Sequence, residues 1–326
     1  MKAARFSQYG SPDTLTIADV ETPSPLDHEV LIKIAATSIN SWDWELLRGV
    51  PFANRMMFGL FKPKKIIALG CDVAGTVAAI GKDVTRFEVG DEVFGDLSEG
   101  KWGGFAEYTC ADEQALSLKP INISFIQAAA IPQAALLAYQ GIVLKGQVQA
   151  GQKVLINGGG GGAGTFAIQI ARSLGAVVTA VDSTEKLDAM RSLGADVVMD
   201  YTKEDFTDND NQYDLIFDCM LIRSVFVCKT SLKPKGTYVV VGGDMGRILQ
   251  TALLGPFISW FEGKHMGLLL HKANKGLDDM MKLIEFGKVT PVIDRSFPLD
   301  ETVEAFQYFD QGHAKGKVVV TMEASS

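Results

Sequence analysis

Apolar residues change their spacing along this chain. Over residues 14–20, 29–35, 72–80, 91–95 and 105–110 they fall in short β-leaning runs bounded by Gly, Pro and Asp, which predicts a β-rich, barrel-like N-terminal domain. Over 125–144 the pattern turns helical and alanine-rich. From Val154 onward, apolar runs at 154–156, 177–181, 197–199, 215–217 and 238–241 alternate with helical segments, which predicts βαβ crossovers and a parallel sheet buried on both faces. The tail predicts a helix over 277–286, extended chain over 289–297, a helix over 302–309 and a strand over 317–321. That last strand comes after the sheet is complete.

The sharpest local signal lies where the parallel pattern begins. An apolar run ending in Asn157 is followed by five glycines, Gly158 to Gly162, then Ala163, Gly164 and an amphipathic segment reaching Leu174. Gly159, Gly161 and Gly164 fit G-x-G-x-x-G, and Gly158, Gly161 and Gly164 fit G-x-x-G-x-x-G. Such spacing serves a tight turn, close approach of a pyrophosphate to the backbone, and close packing of helix on strand. The helix N-terminus adds unpaired N–H groups and the positive end of a dipole. Asp182 ends the next apolar run, about twenty residues on, where an acidic residue meets the adenosine ribose. The competing reading, a flexible glycine linker, sits poorly with the flanking strand, helix and strand.

At 326 residues the chain is expected to hold two domains of about 100–200 residues each. Its most apolar stretches, 128–144 and 253–270, are read as buried or interfacial soluble segments, so no membrane is expected. The net charge of −8 argues against nucleic acid as a partner, and the short cluster Lys62, Lys64 and Lys65 reads as a solvated loop. The N-terminus runs into polar residues without an apolar signal core, and a cytoplasmic location is expected. Cys71, Cys110, Cys219 and Cys228 are widely spaced, which fits buried small hydrophobes in a reducing compartment.

Several ordered motifs run the length of the chain. They are Ser38-Ile-Asn40-Ser-Trp-Asp43, Gly70-Cys-Asp72-Val-Ala-Gly75, Val89-Gly-Asp91-Glu-Val-Phe-Gly95, Gly103-Gly-Phe-Ala-Glu107-Tyr108, Ala129-Ala-Ile-Pro132, the glycine loop, Leu193-Gly-Ala-Asp196 with Asp200-Tyr201, and Gly312-His-Ala-Lys-Gly316-Lys317. On these motifs the chain resembles the medium-chain dehydrogenases/reductases, and within them the zinc-free quinone oxidoreductase-like branch. The resemblance implies an α/β fold: a Rossmann doubly wound parallel sheet (residues 123–272) inserted in a GroES-like β-rich catalytic domain (1–122, with the chain returning over 273–326). Where zinc-using relatives place Cys, His and Cys, this chain carries Asn40, Cys71 and Gln133, and the four-cysteine loop of a structural zinc is missing. One thiol and two carboxamides do not make a catalytic zinc site, so no metal is expected.

Without a Lewis acid, oxidation of an unactivated alcohol is hard. The expected reaction is NAD(P)H-dependent reduction of a small electrophilic acceptor, a quinone or an α,β-unsaturated carbonyl. A 2-alkenal or enoyl reductase and a cofactor-binding accessory protein are the alternatives. Asn40 is either an amide donor to a developing oxyanion or a turn-former bonding its own backbone. Asp43 is carried as a site candidate, read as an ion pair with Arg48 that shapes the loop in preference to an acid/base group. Trp42 and Trp44 alternate, so at least one faces a pocket or the core, and Trp44 is carried as a site candidate. Tyr139 is a hydroxyl donor or a packing residue; the four histidines are read as structural. The cofactor set is Gly158, Gly159, Gly161, Gly162, Ala163, Gly164, Asp182, Ser183, Lys186, Tyr201, Gly242, Gly243 and Lys317. Asp182 favours NADH, whereas Ser183, Lys186 and Tyr201 resemble a 2′-phosphate site and tilt the expectation to NADPH. An apolar strand at 267–270 is expected to pair with its equivalent in a homodimer, as in relatives.

Overall fold

The computed structural model describes residues 1–63, 68–208 and 212–322 and divides into two compact units. Lys64 and Lys65 lie outside the described residues. The first unit comprises 1–133, 272–277 and 291–326; the second comprises 134–271 and 278–290.

In the first unit β1 (Lys2–Phe6) and β2 (Leu15–Asp19) form an antiparallel pair. The strands β3 (Glu29–Ser38), β4 (Asp72–Ile80), β5 (Glu92–Asp96), β6 (Tyr108–Asp112) and β7 (Ser117–Leu118) belong to one sheet. Between β3 and β4 run α1 (Ser41–Arg48) and α2 (Phe52–Phe58), and α3 (Phe125–Ala129) follows β7. The helix α4 (Pro132–Tyr139) leads on into the second unit.

That unit carries β8 (Lys153–Asn157), α5 (Gly162–Ser173), β9 (Val177–Asp182), α6 (Leu187–Ser192), β10 (Val197–Asp200), β11 (Tyr213–Asp218), α7 (Val225–Thr230), β12 (Leu232–Val240), α8 (Met245–Glu262) and β13 (His265–Leu268). Its six strands are all parallel, in the order β10-β9-β8-β11-β12-β13. This is the doubly wound order 3-2-1-4-5-6. The helix α9 (Leu277–Glu285) closes the unit. The chain then returns to the first with β14 (Ile293–Pro298), α10 (Thr302–Asp310) and β15 (Lys317–Thr321). The late strand β15 pairs antiparallel with β3, Val319 opposite Ser38, so the sheet of the first unit is completed by strands that follow the second unit in sequence.

Three expectations are corrected. No helix joins β10 to β11 among the described residues: Asp200 and Asp205 accept N–H groups from Thr202 and Thr207, and these Asx turns compete with helix formation. Residues 41–48, where Asp43 and Arg48 are expected to shape a loop, form α1, because the Asp43 carboxylate accepts the N–H of Asn40 one turn back, as in a capping box. The apolar strand expected at 267–270 is β13, at His265–Leu268.

Glu45 on α1 yields the first prediction. Burial lifts its carboxyl to about 7 from an ordinary 4.5. The folded chain then holds a proton that the unfolded chain has released, so stability falls as pH rises from 4.5 to about 7. Glu45→Gln is expected to flatten that slope and to be more stable at pH ~8 by about 1 kcal/mol, allowing for the part of the side chain in water. Denaturant melts across pH test it; identical slopes in both proteins would refute it.

Candidate active site

The glycine loop of the second unit is built by close backbone approach. Gly158 leaves β8 at φ 88°, a left-handed turn. A Cβ on Gly164 would lie 2.0 Å from the Gly158 carbonyl oxygen and 2.7 Å from Gly159 Cα, so the first turn of α5 packs directly on the loop. Gly161, by contrast, is open: an added Cβ meets nothing nearer than 3.6 Å. It begins α5 with no side-chain cap, leaving the first-turn amides for a ligand. Gly242 is open as well, and Gly243 (φ 118°) lies against Met220, so these glycines sit at the C-terminal ends of β12 and β11.

Asp182 is turned into the loop. Its carboxylate accepts the N–H of Gly160 (2.9 Å) and of Ser183 (2.9 Å), and Lys186 Nζ lies 3.5 Å away. Both charged side chains are buried. Lys186 also packs its stem over Gly160, where a Cβ would meet it at 2.6 Å. Tyr201 is exposed beside them, its N–H donated to the Asp182 carbonyl oxygen. Beneath the cradle, fully buried Asp218 accepts from Asn157 Nδ2 (2.9 Å), the N–H groups of Met220 and Leu221, and the Tyr238 hydroxyl (2.8 Å). Sequence reasoning missed this anchor. The signal was an acidic residue ending an apolar run.

In the first unit, sheet register stacks Val319, Ser38, Asp72 and Asp96 across β15, β3, β4 and β5. Around them lies a buried polar cluster. Asp72 accepts from Ser38 Oγ (2.8 Å), Asn40 Nδ2 (2.8 Å) and the Gln133 N–H (2.9 Å). Lys317 Nζ donates to Asn40 Oδ1 and to the Ile39 carbonyl (3.2 Å), 3.6 Å from Asp72. The Cys71 thiol receives N–H groups from Asn40 Nδ2 (3.4 Å) and Gln133 Nε2 (3.3 Å). Asp43 accepts from the Asn40 and Gly70 backbones. Burial raises its carboxyl to about 7 against those two bonds, and burial with neighbouring carboxylates pushes the Cys71 thiol well up.

Several site expectations are corrected here. The Asn40 amide hydrogens are spent on Asp72 and Cys71, so in this arrangement neither is offered to a substrate oxygen. Asp43 and Arg48 do not pair: Arg48 binds Asp310 (2.9 Å) while Asp43 is enclosed. Trp44 is half-buried against the core of the first unit, its ring under the Arg48 guanidinium and its Nε1–H donated to Asp310. Trp42 packs edge-on against Trp102. The Tyr139 hydroxyl donates to Asp279 (3.0 Å) and ties α4 to α9. Lys317, expected at the cofactor, is 3% exposed and committed inside the cluster. Cys71, expected to be a plain hydrophobe, is the centre of a polar site.

Residues 26–121 match the family model described as alcohol dehydrogenase GroES-like domain, residues 193–320 that of zinc-binding dehydrogenase, and residues 125–225 that of alanine dehydrogenase/PNT, C-terminal domain. The chain is 36% identical to a 2-methylene-furan-3-one reductase of Solanum lycopersicum, over 98% of this chain and 79% of that protein. It is also 36% identical to a chloroplastic NADPH-dependent alkenal/one oxidoreductase of Arabidopsis thaliana, with the same coverage. The solved quinone oxidoreductase of Coxiella burnetii superposes with a TM-score of 0.87 at 31% identity over 99% of both chains.

Proposed function

We propose, for a chain that belongs to the medium-chain dehydrogenase/reductase superfamily and to its quinone oxidoreductase-like branch, that the reaction is hydride transfer from NAD(P)H to a quinone or an α,β-unsaturated carbonyl. A hydride and a proton add to the acceptor, giving a hydroquinone or a saturated carbonyl. The open glycine cradle and the N-terminus of α5 would hold the pyrophosphate, and Gly242 leaves room at the strand ends.

The observation that carries the acceptor class is the Cys71 thiol, which already receives two amide N–H groups. A catalytic zinc needs lone pairs directed at it from three ligands. Here Asn40 and Gln133 direct hydrogens inward and an ammonium stands beside Asp72, so these residues do not fit the metal. We therefore read the enzyme as zinc-independent, acting on acceptors that are electron-poor already. The first two relatives are named for enone acceptors, which favours an enone over a quinone. The test is cofactor oxidation with phenanthrenequinone, an enal or an enone, against a no-acceptor control and a chelator. Chelator-sensitive turnover of simple alcohols alone would sink the reading.

NADPH is the preferred cofactor in this reading, because Asp182 is occupied by Gly160, Ser183 and Lys186 rather than presented to a ribose. Asp182→Ala is expected to raise the KM of NADPH and NADH together, by roughly 10-fold, through a loosened loop; a binding loss near 1.4 kcal/mol corresponds to that factor. A ribose reader would behave otherwise, its loss weakening NADH alone and improving NADPH.

We further place the chain in a homodimer through the outer edge of β13, which has no partner strand among the described residues, while Leu249, Leu253 and Phe257 of α8 stay exposed. Elution as a monomer at micromolar concentration would refute it. Among the described residues no helix is long and apolar enough to cross a membrane. Four free cysteines fit a reducing compartment, and we read the location as cytoplasmic, which fractionation tests.

A further inference from the structure

The cluster around Cys71 has the spacing of a metal site. Cys71 Sγ and one carboxylate oxygen each of Asp72 and Asp96 lie within 4.8 Å of one another, and all three residues are buried. Three such ligands with one open position are what zinc accepts. Whether a cation can enter depends on the charges and donors that already surround those three ligands.

Those surroundings are legible in the hydrogen bonds. An ammonium only donates and a carboxylate only accepts, so the two partners of Asn40 fix which way its amide faces. Lys317 takes Oδ1, Asp72 takes Nδ2, and Nδ2 therefore also faces the Cys71 thiol. The lysine thus acts twice. It supplies a positive charge 3.6 Å from Asp72, and it turns the amide so that hydrogens rather than a lone pair face the sulfur. A second cation entering beside Asp72 would meet both.

We propose that Lys317 is the internal cation that replaces a metal in this fold: it balances Asp72, orients Asn40, and makes the Cys71–Asp72–Asp96 cluster refuse a divalent ion. This rests on the zinc-independent reading above and adds to it the residue responsible. Lys317 is a positioning residue, joining the last strand of the chain to the start of α1 across 277 positions of sequence.

The test uses the full-length protein with zinc or cobalt alone as the probe. Wild type, Lys317→Met and Lys317→Gln are freed of metal, titrated and followed by metal analysis, thermal melting and the thiolate-to-cobalt absorption. Wild type is expected to take up no metal. Both variants are expected to melt lower in chelator, since a buried carboxylate has lost its partner. Each is expected to bind about one cobalt, with the thiolate band and a melting temperature restored by metal. Adding Cys71→Ser should abolish the band, and Lys317→Arg, which keeps the charge, should stay metal-free. If wild type is metal-free and the folded variants bind none, or if metal fails to restore folding to either, the inference about Lys317 falls and the zinc-independent reading stands. Stoichiometric metal on wild type that is lost with Cys71→Ser overturns both.

Discussion

Gly164→Val is expected to abolish cofactor binding and to cost the second unit about 3 kcal/mol. The new Cβ would stand 2.0 Å from the Gly158 carbonyl oxygen, 2.7 Å from Gly159 Cα and 2.8 Å from Gly159 C. All three are backbone atoms, so no rotamer change relieves the overlap, and overpacking of this kind costs roughly 1–3 kcal/mol or more. Relief requires α5 to draw away from the loop, which removes its first-turn amides from the phosphate position. Gly164→Ala meets the same clash and is expected to lose cofactor affinity by about 100-fold, near 2.7 kcal/mol. Fluorescence titration with NADPH and denaturant unfolding measure the two effects. A Gly164→Ala protein that binds NADPH like wild type would refute the account.

The second large effect is expected at Asp218. Four donors converge on its carboxylate: Asn157 Nδ2, two backbone N–H groups and the Tyr238 hydroxyl. Asp218→Ala leaves them without an acceptor in the dry interior between β8, β11 and β12. At roughly 1–3 kcal/mol for each donor left unsatisfied, reduced where water enters, the expected loss is about 4 kcal/mol. Asp218→Asn keeps the volume and one acceptor, and about half of that loss is expected. Because Asn157 directly precedes Gly158, the KM for NADPH should rise in both variants while kcat changes less. Urea unfolding and steady-state kinetics test it; an alanine variant as stable as wild type would show that the carboxylate is not an anchor.

How much of this was legible in the sequence differs from one element to the next. The cradle was legible because its signal is local: glycines at fixed offsets between a strand and a helix. Helix α1 carried a local signal too, Asn40 followed three residues later by Asp43, but the alternation of Trp42 and Trp44 resembles an extended segment. Helix α8 is apolar on its sheet-facing side at Ile258 and on its exposed side at Leu249, Leu253 and Phe257, so no amphipathic period marks it. Among the described residues the crossover after β10 lacks a helix because Asp200 and Asp205 bond their own turns, a competition that propensity alone does not resolve.

By itself, the sequence determined the parallel fold of the second unit, the place of its glycine loop and the presence of carboxamides, poor zinc ligands, at Asn40 and Gln133. Each follows from residues close together or from residue types that chemistry excludes. Only the tertiary structure decided what the charged residues do. Asp182 turns into the loop because Gly160 and Lys186 meet it there. Lys317 enters the cluster because β15 folds back on β3 and brings its ammonium to Asn40 and Asp72. A carboxylate or an amide takes its direction from whichever partner the chain delivers across space, and partners hundreds of residues apart leave no trace in local pattern.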